Sequence, residues 1–107
     1  MVAPAQPRIA IDADDGSTLA VASLDFLGPD VVRVALHVSP GHLPSGTRTR
    51  LVDAVFDDPD VRRRRQLQVT LPMGDIEILD RLRERGVLTT FRAAGSTCLV
   101  EADLPLA

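Results

Sequence analysis

VVRVALHVSPGHLPSGTRTRLVDAVF, residues 31–56, changes its hydrophobic period within one stretch, and that change decides the fold. The run VVRVALHVS is β-branched and predicts a strand over residues 31–39. GHLPSGT follows as a loop of turn-forming residues. From Thr47 onward, Leu51, Val52, Val55 and Phe56 recur at the i, i+1, i+4, i+5 spacing of one helix face, with Ser45 or Thr47 available as N-cap. A strand that feeds a helix through such a loop gathers main-chain N–H groups at the helix start, where they form a seat for an anion.

Toward the N-terminus, RIAID (residues 8–12) reads as a first strand, closed by the turn cluster Asp14-Asp15-Gly16-Ser17. Residues 18–26 form a second strand that ends at Gly28-Pro29-Asp30. Short connections make these three strands an antiparallel meander. On the C-terminal side, Asp57-Asp58-Pro59-Asp60 ends or interrupts the helix. Leu67, Val69 and Leu71 then alternate with Gln66, Gln68 and Thr70, the signature of a strand with one buried face. Pro72-Met73-Gly74 breaks that strand. A second helix is expected from Asp75, its N-cap, to Arg85, with Gly86 as its stop and an apolar face of Ile76, Leu79 and Leu82 that leaves Ile78 at the margin. Residues 87–93 and 97–102 are two strands joined at Ala94-Gly95-Ser96. The order βββαβαββ, with two helices, predicts an α/β (α+β) domain with a mixed sheet and at least one helical crossover.

The 107 residues fit a single domain, residues 1–107, with residues 1–7 as a flexible N-terminus. With 45% hydrophobic and 25% charged residues, the chain is of ordinary globular composition. No apolar run reaches the roughly 18 residues of a membrane span, and MVAPAQP is not a secretory signal, so a cytoplasmic location is expected. The single cysteine, Cys98, lies among apolar strand residues and reads as a small buried hydrophobe. All twelve basic residues are Arg, and Tyr, Trp, Lys and Asn are absent, which excludes a lysine Schiff base, a P-loop lysine and a tyrosine general acid. The net charge of −3 and only three Phe for base stacking argue against nucleic acid as a partner.

Four residues of the opening stretch carry a resemblance to a known family. Val38 and Pro40 stand as V-x-P at the end of a strand, Gly46 as the first glycine of a Q/R-x-x-G-x-G/A loop, and Leu51 as the helix leucine after it. In this the chain resembles the GNAT acyltransferases over roughly residues 19–104, without the N-terminal helical segment that in the family helps form the acceptor pocket. Leu43 departs from the family's Gln or Arg, Arg48 from its second small residue, and Pro44 has no N–H to donate. A second family landmark, N-x-x-A-x-x-L-Y-x-x-x-G-F, is matched in frame by Gly86, with Asp75, Ile78, Leu82 and Val87 replacing Asn, Ala, Tyr and Phe. The replaced Tyr often protonates the leaving thiolate of coenzyme A in the family. A thiol with a pKa near about 8.5 still leaves tolerably without it.

The resemblance implies two functions of different class. One is a non-catalytic or weakly active GNAT-like domain acting as a binding or interaction module, as a homodimer or with another protein partner. The other is an acetyl-CoA-dependent N-acyltransferase with an atypical site. In the second, main chain near Leu36 and Val38 holds the pantetheine of acetyl-CoA or coenzyme A, and Leu43, Ser45, Gly46, Thr47, Arg48 and Arg50 hold the pyrophosphate. His37 is then the candidate base, against its reading as a strand histidine with a satisfied hydrogen bond. His42 is either a phosphate contact or an exposed loop residue. Arg48 and Arg50 are unfavourable beside the positive end of a helix dipole unless an anion sits there. The run from Arg62 to Arg65, preceded by Asp57, Asp58 and Asp60, reads as a locally neutralised connector, and Asp80 and Glu84 with Arg81, Arg83 and Arg85 as pairing along one helix surface. The two His, with no His or Cys cluster beside them, make no zinc site, and no metal is expected.

Overall fold

The computed structural model describes residues 7–41 and 43–104. Six strands, β1 (Arg8–Asp12), β2 (Thr18–Phe26), β3 (Val31–Val38), β4 (Gln66–Pro72), β5 (Val87–Ala94) and β6 (Thr97–Asp103), form one sheet in the order β1-β2-β3-β4-β6-β5. Only β3 and β4 are parallel; the other four neighbouring pairs are antiparallel. Helix α1 (Thr47–Asp57) and the four-residue α2 (Pro59–Arg62) connect β3 to β4, and α3 (Ile76–Arg85) connects β4 to β5. A parallel pair cannot be joined by a tight turn, so the period change after Val38 forces the crossover.

Strand alternation sorts the sheet into two faces. Ala22, Leu36 and Val34 with Leu24 are cross-strand partners on one face, as are Val34 and Val69, Val69 and Val100, and Leu71 and Cys98. All of these are buried, and Leu51, Val52, Val55, Phe56, Ile78 and Leu82 of the helices pack onto them in one cluster. The other face presents Val21, Ser23, Arg33, Ala35, His37, Gln68, Thr70 and Glu101, which are half-buried or exposed. All three helices therefore cover the same side of the sheet.

Three expectations need correction. The sequence suggests two helices, but Asp58 starts a third: its side chain accepts from the N–H groups of Asp60 (2.9 Å) and Val61 (3.2 Å), with Pro59 pre-set at the first helical position. This turn buries Val61 fully. The cap of α1 is neither Ser45 nor Thr47 but Gly46, at φ 84°, a left-handed conformation that glycine adopts without a Cβ clash. Thr47 is instead buried, and its hydroxyl donates back to the Pro44 carbonyl at 2.8 Å. On α3 the buried residues are Ile78 and Leu82, with Leu79 half-buried, whereas Ile76 is 67% exposed. Two residues apart on a helix are about 200° apart around its axis, so Ile76 and Ile78 cannot both face the sheet.

The remaining punctuation agrees with the sequence. Asp75 caps α3 by accepting from Ile78 N–H at 3.2 Å, and Gly86 ends it. A Cβ at Gly86 would lie 3.1 Å from the Asp103 carbonyl oxygen and 3.4 Å from the Phe56 ring, so the close approach of β6 and α1 excludes a larger residue without adjustment. Cys98 is 2% exposed, and burial pushes its thiol pKa up, as befits a packing residue.

Leu67 lies on central strand β4 with no exposed surface, between Val32 and Ala102. Leu67→Ala should therefore cost about 2 to 5 kcal/mol of stability, read as a lower urea midpoint at unchanged slope.

Candidate functional site

β3 and β4 pair from Val31↔Gln66 to Ala35↔Thr70 and then separate. Both strands continue: β3 stays with β2 as far as Val38, opposite Ala20, and β4 stays with β6 as far as Pro72, opposite Thr97. The sheet is thus open at the carboxyl ends of its two parallel strands. Along this opening the edge of residues 36–38 that faces β4 has no strand partner among the described residues, and extended backbone of this kind can pair with an extended amide-bearing ligand. A crevice at the carboxyl ends of neighbouring parallel strands is also where α/β sheets commonly bind ligands.

The two long helices begin at the same end. Thr49 of α1 contacts Glu77 of α3, Asp53 contacts Arg81, and Asp57 contacts Arg85, always 28 residues apart. A constant offset means that α1 and α3 run parallel, side by side, with both positive dipole ends at the mouth of the crevice. Between them lies an open cleft of about 430 Å³, lined by Arg48, Glu77, Asp75 and the turn Pro72-Met73-Gly74 with Ile76.

Electrostatics at this mouth come mainly from α3. Gly46 gives α1 no side-chain cap, and the first turn of α1 holds no acidic residue. Glu77 Oε2 accepts from the Thr49 N–H at 3.2 Å and from the Thr49 hydroxyl at 3.4 Å. Asp75 Oδ2 accepts from Arg48 Nε at 2.8 Å, while its other oxygen caps α3. Glu77 thereby faces a free N–H at the start of α1, and Asp75 pairs with the Arg48 side chain beside it.

Farther along, the Arg81 guanidinium grips both oxygens of Asp53, at 2.7 and 3.0 Å, and also reaches Glu84 at 2.6 Å. Arg85 reaches Asp53 at 2.8 Å and Asp57 at 2.7 Å, with its guanidinium 5.3 Å from the Phe56 ring centre. Hydrogen bonds from Arg81, then Arg85, hold the Asp53 carboxyl below the usual carboxylate range. Asp53 and Glu84 raise Arg81, and Asp57 and Asp53 raise Arg85. The expected pairing along one helix surface does exist, in Arg81–Glu84 and Arg83–Asp80, but Arg81 and Arg85 also join the two helices.

The expected site residues differ in burial and in the direction they face. Leu36 points into the core, 4% exposed, and Val38 is half-buried against it. Leu43 and Gly46 are half-buried, Ser45 is exposed, and the Thr47 hydroxyl is turned inward to Pro44. Arg48 lines the cleft in its pair with Asp75, and Arg50 is exposed. His37 lies on the opposite, uncovered face, exposed and paired in register with Val21. His42 lies outside the described residues. Of the three expected carboxylates only Asp60 pairs with the arginine run, meeting Arg63 at 3.3 Å; Arg65 meets Asp30 at 3.8 Å, Arg64 stacks 4.5 Å from the Phe26 ring centre, and Asp57 and Asp58 are engaged elsewhere.

Glu77, Asp75 as the partner of Arg48, and Thr49 through its main chain were not foreseen as part of the site. The signal lay in the 28-residue repeat of Thr49/Glu77, Asp53/Arg81 and Asp57/Arg85, which carries meaning only once the two helices are known to be parallel. Among the described residues, no group of three or more His, Cys, Asp or Glu is placed to hold a metal ion. No described helix is long and apolar enough to cross a membrane.

No family model matches the chain. No curated protein matches it either. Solved structures do. A GNAT superfamily phosphinothricin acetyltransferase from Sinorhizobium meliloti, in complex with AcCoA, superposes with a TM-score of 0.66 at 14% identity over 92% of this chain and 61% of its own. The GNAT domain of S. lividans PAT gives 0.63 at 18% identity, over 91% and 60%. Spermidine N-acetyltransferase SpeG from Vibrio cholerae, as its F149A mutant, gives 0.62 at 10% identity, over 94% and 65%. The chain thus spans under two thirds of the length of these three structures. At these identities the likeness is one of fold, and the fold is GNAT-like.

Asp53 supplies a pH test. Its carboxyl titrates lower in the folded than in the unfolded chain, so its stabilisation is complete above about pH 4, the ordinary aspartate value, and fades as pH falls through its depressed folded value. Asp53→Asn should lower the melting temperature at pH 7, and its deficit relative to the unsubstituted protein should shrink between about pH 4 and pH 2. Thermal melts of both proteins across that range check this.

Proposed function

We propose, taking the GNAT-like fold as premise, that this chain is an acyl-CoA-binding domain whose transfer activity is weak or absent. The observation that carries the reading is the parting of β3 and β4 beyond Ala35 and Thr70, with a main-chain edge at residues 36–38 that has no strand partner among the described residues. A pantetheine arm carries two amides and is extended, so it suits such an edge. The left-handed Gly46 turn and the N-terminus of α1 suit a pyrophosphate, with Leu43, Ser45, Gly46, Thr47 and Arg48 around it and Arg50 nearby on the first turn. The AcCoA complex of the Sinorhizobium meliloti structure, whose fold this chain shares, supports the choice of ligand.

The chemistry such a ligand supplies is a thioester carbonyl open to attack by an amine. What the chain offers against it is limited. Leu82 stands where the family resemblance expects the tyrosine that protonates the thiolate, and it is 2% exposed, facing the core. The sequence contains no tyrosine to take that role from elsewhere. His37 is exposed on the uncovered face of the sheet and is the candidate base for an acceptor amine bound there. Without a positioned acid, binding is retained better than turnover.

Calorimetry and thermal melts with coenzyme A and acetyl-CoA test the reading. Saturation at 100 times Kd should add about 2.7 kcal/mol of stability, and thiol release from acetyl-CoA with a panel of primary amines should stay close to the uncatalysed rate. Absence of both heat and melting shift at millimolar ligand would overturn it.

A further inference from the structure

We infer that Glu77 is a built-in competitor for the pyrophosphate seat, so that the affinity of this domain for coenzyme A is set by how readily that side chain leaves. The inference rests on the acyl-CoA-binding reading above, and it names the residue that regulates the same site. The N-terminal N–H groups of a helix attract an anion, and α1 supplies none of its own: its cap is Gly46 and its first turn carries Arg48 and Arg50 without an acid. The anion comes from α3. Glu77 places a carboxylate oxygen 3.2 Å from the Thr49 N–H and 3.4 Å from its hydroxyl, at the end of α1 that a pyrophosphate would use.

The two carboxylates at the cleft are not equivalent. Asp75 is held from two sides, by Arg48 Nε at 2.8 Å and by the Ile78 N–H at 3.2 Å, with a side chain only 10% exposed. Its removal would uncap α3. Glu77 is exposed, its contacts are at the long end of the hydrogen-bond range, and it carries no capping duty on its own helix. It is therefore the side chain that can turn away into solvent, uncovering the Thr49 N–H for a phosphate oxygen. While it stays, its charge also repels an approaching phosphate.

Glu77→Gln keeps size and removes charge. It should bind coenzyme A about tenfold more tightly than the unsubstituted protein, a gain expected from removing one like charge at a helix N-terminus, and should bind pantetheine, which has no pyrophosphate, equally well. In the ligand-free protein, Thr49 amide hydrogen exchange should be faster in Glu77→Ala than in the unsubstituted chain, because that N–H loses its acceptor. Coenzyme A binding of equal strength to both proteins would overturn the role of Glu77 while leaving the acyl-CoA reading intact. Equal tightening for pantetheine would overturn it too, since the effect would not lie at the pyrophosphate. No binding of coenzyme A to either protein would bring down the acyl-CoA reading itself, whereas binding to Glu77→Gln alone would support both.

Discussion

The parallel pairing of β3 with β4, from Val31↔Gln66 to Ala35↔Thr70, is the constraint on which the remaining structure depends. Two strands that run the same way need a long return path, and the path is α1 and α2 laid over one face of the sheet. α3 leaves β4 at the same end as α1 leaves β3, so the two helices start together and lie parallel. Their side-by-side dipoles are unfavourable alone. Glu77, Arg81 and Arg85 along α3, facing Thr49, Asp53 and Asp57 along α1, convert the arrangement into a set of complementary contacts.

The same constraint produces the crevice. β3 and β4 are each bound to an antiparallel partner beyond the point where they part, so neither is free to follow the other. Leu36 keeps its side chain in the core and Val38 packs against it, while one main-chain edge has no strand partner among the described residues. Burial and availability coexist at Leu36 because side chains and main-chain polar groups point in perpendicular directions in a strand.

Much of the fold could be read from periodicity and punctuation. The alternation of Gln66 to Leu71, the turn at Gly28-Pro29-Asp30 and the Asp75 cap with the Gly86 stop each arise from local chemistry, and the structure keeps all of them. Local reasoning failed where tertiary position decides. Thr47 is an excellent cap by type, yet its hydroxyl is needed inside the loop, and the left-handed turn passes the cap to Gly46. Ile76 and Ile78 are equally apolar, and only the direction of the sheet chooses between them. The site was legible as a loop and a strand end, but not as a cleft between two helices, because the contact of Glu77 with Thr49 belongs to neither segment alone.

The rungs that tie α1 to α3 have a kinetic meaning. With Asp53 held by two guanidinium groups and Asp57 by one, the helices resist being prised apart at their middle and C-terminal portions. Separation of packed helices is a collective motion on the order of microseconds to milliseconds, whereas rotation of an exposed side chain takes on the order of picoseconds to nanoseconds. Under the role proposed for Glu77, access to the cleft follows the fast motion and not the slow one, so a small ligand need not wait for the scaffold to rearrange.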